Sequence, residues 1–292
     1  MADGSADGPH HTGLTRDGLT RDGLSRDGLS GEGLARDAAL LKDTVREAGA
    51  LALSLFRTEL KNWTKGASSP VSEADIAVND LIQRQLRSAR PDYGWLSEES
   101  ADDETRLGKP LVWIVDPIDG TRGYLAGRED WCVSVALVEN AAPVLAAVFV
   151  PASDEFFFAV RGQGAARNGV PVFATSGTAL DFSRVAGPKP LVERLSRSSD
   201  EITLYPRIGS LALRLCRVAE GRLDAAFAGG QSRDWDLAAA DLIVHEANGN
   251  MTALSGDSIL YNLREVTHGV LVAAGRDRHA SIVEHFRRCP LP

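Results

Sequence analysis

Apolar and polar positions change their rhythm several times along the chain. In "DAALLKDTVREAGALALSLFRTELKNW", Leu40, Leu41, Val45, Ala48, Leu51, Ala52, Leu55 and Phe56 recur at helical spacing and predict a long helix. "SPVSEADIAVNDLIQRQLRSARP" predicts a second: Ser72 is a suitable N-cap, Asp75 follows three positions on, and Pro91 ends it. Short strand-like runs follow, "YGWLSEE", "LVWIVD", "CVSVALVE", "PVLAAVFV" and "EFFFAV". Their short polar links predict that consecutive strands are antiparallel. In "EFFFAV" the three phenylalanines alternate across the strand, which suits core filling better than base stacking. After about Ala174, strand-like and helix-like segments alternate, including "WDLAAADLIVHEANG" as an amphipathic helix and "RHASIVEHFRR" as the last one. The expectation is an α+β half over 38–175 and an α/β half over 176–292.

The N-terminus departs from both periods. "GLTRDGLTRDGLSRDGLSGEGLARD", residues 13–37, repeats every five residues, with a glycine and a single leucine per unit. Such a repeat raises the cost of ordering and builds no core, so 1–37 is expected to be a disordered tail with order beginning near Asp37.

Composition narrows the function classes. Of 292 residues, 32 are Lys or Arg and 40 are Asp or Glu, a net charge of −8. That balance disfavours a nucleic-acid polymer as partner and leaves room for a small phosphorylated metabolite. No apolar run is long enough to span a membrane and the first thirty residues lack a signal-peptide core, so a cytoplasmic protein is expected, with a homodimer possible. Cys132, Cys216 and Cys289 form no CxxC and read as ordinary thiols. His10, His11 and His245 carry no ligand pattern.

The candidate chemistry is acidic. "IVDPIDGT" places Asp116 and Asp119 three residues apart at a strand end, followed by Gly120 and Thr121. By itself this pair fits a turn and helix cap. "WLSEES" adds Glu98 and Glu99 at the end of a neighbouring strand, Asp236 opens a helix, and Asp75 sits in the first turn of another. One shared cation explains these acids more economically than four separate local reasons. Oxygen donors without His or Cys suit Mg²⁺ rather than zinc. Free amides at Gly120 and Thr121 suit a phosphate, so the set points to phosphoryl chemistry.

"DPIDGT", with "SEES" upstream and "WDLAAADLIVHEANG" downstream, closely resembles the inositol monophosphatase superfamily of Mg²⁺-dependent, often lithium-sensitive phosphatases. The resemblance covers about residues 38–290. "KGASSPVSEADIAVNDLI" looks more like its CysQ-type branch, the 3'(2'),5'-bisphosphate nucleotidases. It implies a layered αβαβα sandwich of the inositol monophosphatase and fructose-1,6-bisphosphatase type. It further implies two or three Mg²⁺ ions. Glu98, Asp116 and the Ile118 carbonyl would ligate the first, and Asp116, Asp119 and Asp236 the second. Asp75 would hold waters of a weaker third ion and, with Thr121, orient the attacking water; Glu98 joins them in catalysis. Gly120 and Thr121 would bind phosphate, with Gly209 and Ser210 of "RIGSLALRL" and Asp236 at the substrate. The "EANG" segment departs from the family's usual "EAGG" at Asn248, a residue that tolerates the left-handed conformation of a helix end.

The implied reaction is hydrolysis of the 3'-phosphate of adenosine 3',5'-bisphosphate. Inositol 1-phosphate, histidinol phosphate and fructose 1,6-bisphosphate are alternatives, as is a catalytically silent phosphate-binding relative. A HAD-type aspartyl-phosphate route needs the second Asp two residues after the first, where this chain has Ile118. Trp95, Trp113 and Trp131, near the acids in sequence, are expected to wall the site.

Overall fold

The computed structural model describes residues 31–65, 69–180, 183–196 and 202–289. Its elements, in order, begin with α1 (Gly31–Leu55), β1 (Asn62–Lys65), β2 (Ser69–Ser72), α2 (Glu73–Ala89), β3 (Gly94–Ser97), β4 (Leu111–Asp119) and α3 (Thr121–Leu125). They continue with β5 (Cys132–Glu139), β6 (Ala142–Val150), β7 (Glu155–Val160), β8 (Ala165–Arg167), β9 (Val170–Pro171), β10 (Arg184–Ala186), α4 (Lys189–Ser196) and β11 (Thr203–Leu204). The chain then forms α5 (Leu211–Ala219), β12 (Ala225–Ala228), β13 (Ser232–Arg233), α6 (Asp234–Glu246), β14 (Gly249–Ala253), β15 (Thr267–His268), β16 (Leu271–Gly275) and α7 (Arg276–Arg288).

Strands β3 to β9 form one sheet in sequence order, and a second sheet runs β11-β10-β12-β16-β14. Alternation along β4 sorts the first sheet's two faces. Trp113 and Val115 join Leu41, Val45 and Ile82 of α1 and α2, while Val112 and Ile114 join Leu213, Leu242 and Ile243 of α5 and α6. On the outer side of the second sheet, Val185, Phe227 and Val272 pack with Leu195 of α4 and Ile282 and Phe286 of α7. The layers therefore run α, β, α, β, α, the expected sandwich. No helix among the described residues is long and apolar enough to cross a membrane.

Three expectations need correction. Strands β4 to β9 pair antiparallel, but β3 and β4 run parallel, with Leu96 opposite Ile114. The stretch between them returns to the same end of the sheet through a short 3₁₀ turn at Glu104–Gly108. Helix α6 is not amphipathic: Leu237 through Val244 are all buried, as a helix caught between two sheets requires. Its internal Asp241 is met by the Tyr261 hydroxyl at 2.9 Å and by His245 Nδ1 at 2.7 Å. The prediction for "EFFFAV" held, with Phe157 on one face and Phe156 on the other.

The third correction is the helix start. Residues 1–30 of the expected tail lie outside the described residues, but α1 begins at Gly31, inside the repeat. Asp37, set as the boundary, is fully buried and accepts hydrogen bonds from Arg90 Nε at 2.5 Å and the Tyr93 hydroxyl at 2.8 Å. The last repeat unit is ordered because the residues behind it continue the helix and dock it on α2. Asp37→Ala is expected to cost about 1–3 kcal/mol, the typical penalty for stranding the partners of a buried polar group. Removing 1–30 is expected to change nothing. Denaturant midpoints of the two variants check this; equal midpoints would contradict it.

Candidate functional site

Two carboxylates three residues apart on a regular strand would face opposite sides of the sheet. Here Asp116 pairs with Ser134 and Asp119 with Cys132, so three steps along β4 match two along β5. The extra residue is a β-bulge, which returns Asp119 to the face of Asp116. Pro117 sits within it, where its missing N–H is tolerated. The Ile118 amide donates to Asp116 Oδ1 at 3.1 Å and fixes that carboxylate.

Other elements deliver the remaining acids. The Glu98 amide extends the β3–β4 ladder to Val115 O at 3.2 Å, which brings Glu98 alongside Asp116. Asp236 is in the first turn of α6, and its Oδ2 accepts the Arg233 amide at 2.6 Å. Ligand-capable oxygens of Asp116, Asp119 and Asp236 all lie within 4.8 Å of one another. Glu98 lines the same cavity but stands outside that triad. Asp75 closes the predicted capping box, its Oδ2 accepting the Ser72 amide at 2.8 Å and hydroxyl at 2.6 Å. Its other oxygen meets the Thr121 hydroxyl at 3.1 Å, and Thr121 Oγ1 is also 3.0 Å from Ile118 O.

Burial holds the Asp116 carboxyl well above its ordinary range, and the charges of Glu98, Asp119 and Asp236 push it further. Glu98 is raised by burial and then by Asp236, Glu99 and Asp119; Asp236 by burial and then by Asp119. Asp119 is also raised by burial, against hydrogen bonds from Ser210 and the Ala212 amide. A floor of mutually repelling carboxylates, with oxygen donors only, fits a hard divalent cation such as Mg²⁺.

Strand β4 and helix α5 are fastened together at Asp119. Its Oδ2 accepts the Ser210 hydroxyl and the Ala212 amide, each at 2.6 Å. Ser210 is fully buried, so this predicted substrate contact instead anchors a carboxylate. Gly209 does line the cavity, with Gly120 and Thr121. Gly120 has φ +98°, which strains any other residue, and a Cβ there would lie a tight 3.2 Å from Asp130 O and Ser210 N. The Gly123 and Tyr124 amides both donate to Gly120 O, at 2.7 and 3.0 Å, so the first turn of α3 closes on this glycine with the Thr121 amide at its open end.

The tryptophan expectation fails: Trp95, Trp113 and Trp131 are buried in the core beneath α1 and α2. Trp235 lines the cavity of about 800 Å³, together with Gln231 and four arginines, Arg122, Arg128, Arg207 and Arg233. Apart from Arg122, which directly follows the "DGT" string, sequence reading missed these wall residues. Trp235 was legible through its place beside Asp236, whereas arginines scattered over more than a hundred positions acquire meaning only when folding gathers them.

The profile of the inositol monophosphatase family matches residues 35–291. An inositol monophosphatase of Mesembryanthemum crystallinum is 32% identical over 84% of this chain and 94% of its own length. A histidinol-phosphatase of Mycobacterium tuberculosis is 37% identical over 68% of this chain and 79% of its own. Among solved structures, the extragenic suppressor protein suhB of Bartonella henselae superposes with a TM-score of 0.77 at 27% identity, covering 87% of this chain and 99% of that one.

Proposed function

The chain belongs to the inositol monophosphatase family of phosphatases, and from that premise we propose a Mg²⁺-dependent phosphomonoesterase that hydrolyses the 3'-phosphate of adenosine 3',5'-bisphosphate. The observation that carries the reaction class is the convergence of Asp116, Asp119 and Asp236 beside the Thr121–Asp75 pair. Glu98, Asp116 and the Ile118 carbonyl would hold one ion, and Asp116, Asp119 and Asp236 a second; Asp75 would hold waters around a third. When bound, Mg²⁺ supplies charge neutralisation for the phosphate oxygens and acidity for a water.

The chain's own groups do the rest. Thr121 has one hydroxyl proton and two acceptors in reach. With that proton on Asp75, the Thr121 oxygen accepts a hydrogen bond from the attacking water and orients it. The amides of Gly120 and Thr121 hold the phosphate, and Ser210 and the Ala212 amide keep Asp119 in place. With the Thr121–Asp75 pair assigned to orienting the water, attack is by that water directly.

The nucleotide reading is supported by the CysQ-like "KGASSPVSEADIAVNDLI" and by a cavity of about 800 Å³ with an indole on its wall, roomy enough for a nucleoside. Inositol 1-phosphate is the second reading, supported by the activity named for the relative from Mesembryanthemum. Histidinol phosphate, named for the mycobacterial relative, ranks lower here because its cationic organic half would face four arginines. Comparing kcat/KM for these three and fructose 1,6-bisphosphate decides among them. Adenosine 3',5'-bisphosphate is expected to lead. A tenfold lead for inositol 1-phosphate would replace the substrate and keep the reaction class, and no turnover of any would remove the class.

A further inference from the structure

None of the roles assigned above uses the arginine wall. In a chain of net charge −8, four arginines from three stretches of the chain line one cavity. Solvation alone accounts for exposed arginines one by one, but Arg128 is held differently. Its Nε lies 3.2 Å from Asp130 Oδ1, and the same Asp130 accepts the Gly209 amide through its other oxygen. Its guanidinium rests against Gly123 and Gly209: a Cβ at those positions would stand 3.2 Å and 3.1 Å from Arg128 Nη2. Neither glycine has a positive φ, so what they supply is room for the Arg128–Asp130 pair, whose carboxylate comes nearer still. The half-exposed guanidinium thus lies along the cavity wall in ion-pair contact with Asp130, which narrows its range before any ligand arrives. Arg207 stands at the seam with a neighbouring cavity of about 450 Å³ lined by Lys189, Tyr205 and Arg214.

We propose that Arg128, assisted by Arg207, binds a second phosphate of the substrate, so that the chain selects phosphomonoesters already carrying another phosphate. The inference rests on the reading of this cavity as the phosphatase site, though not on the substrate being a nucleotide. The metal-binding floor answers to the scissile phosphate; a planar cation with paired donors answers to a further oxyanion.

Matched pairs test it: adenosine 3',5'-bisphosphate against adenosine 3'-monophosphate, and fructose 1,6-bisphosphate against fructose 1-phosphate. In at least one pair, Arg128→Gln is expected to raise KM for the bisphosphate about tenfold or more, with KM for the monophosphate within about twofold. Arg207→Gln moves it the same way by less. Should the Gln variant not fold, Arg128→Lys keeps the charge, loses the fork, and is expected to give an intermediate, bisphosphate-only effect. Equal effects on both members of each pair, or none, overturn the proposal. Calorimetric Kd values for the same ligands, with Ca²⁺ replacing Mg²⁺, separate the two readings. A bisphosphate preference lost in Arg128→Gln without turnover by the wild type would sink the phosphatase reading and keep the role of Arg128. Equal Kd values within both pairs would sink that role.

Discussion

Asp116→Asn is expected to lose about a thousandfold or more of kcat at saturating Mg²⁺ while melting at or above the wild-type temperature. The bulge puts Asp119 on the face of Asp116, and Asp116 belongs to both proposed ligand sets, so one lost charge would weaken both at once. Electrostatic stabilisation by bound cations contributes several kcal/mol, and about 4 kcal/mol is a thousandfold in rate. Stability moves the other way. Asp116 is buried among Glu98, Asp119 and Asp236, whose charges oppose its own, and an amide there removes one source of repulsion. The Asn carbonyl can still accept the Ile118 amide that Asp116 Oδ1 accepts now. Near wild-type kcat in the variant would show that the cations are held elsewhere.

Thr121→Ala is expected to lower kcat about a hundredfold and leave KM within about threefold. The hydroxyl lies between Asp75 on α2 and the Ile118 carbonyl on β4, and its proposed role is to orient a water, not to bind the substrate. Positioned proton acceptors of this kind contribute roughly 10²–10⁴ in rate. Thr121→Ser retains the hydroxyl and should recover most of the loss. Calorimetric Mg²⁺ binding should be unchanged in both variants, since the floor carboxylates are untouched. A matching loss in the Ser variant, or weakened Mg²⁺ binding in the Ala variant, would make Thr121 a structural residue.

How legible the molecule was depended on whether the governing contacts were local. The capping box of Ser72 and Asp75 is a four-residue event and could be read directly. So could the face alternation of Phe156 and Phe157, because a strand's period imposes it. The start of α1 could not be read: Asp37 is paid for by Arg90 and Tyr93, more than fifty residues away. The parallel pairing of β3 with β4 depends on the path of the connection, which polar link residues do not encode. For the site, "DPIDGT" announced the acids but not the bulge that turns both toward one side. The role of Ser210 was misread because its partner, Asp119, lies 91 positions earlier. The setting of Arg128 was invisible for the same reason, since Gly123 and Gly209 meet Arg128 only after both halves of the chain have packed.

The proposed role of the floor of Asp116, Asp119, Asp236 and Glu98 is to bind divalent cations and, with them, to hydrolyse phosphomonoesters. Phosphate release by chelator-stripped protein, measured before and after Mg²⁺ is added back and alongside calorimetric Mg²⁺ binding to wild type and Asp116→Asn, tests it most directly. No release is expected until Mg²⁺ returns, with full release afterwards and binding that is lost in the variant. Release that persists in chelator, or Mg²⁺ binding that survives Asp116→Asn unchanged, would contradict it.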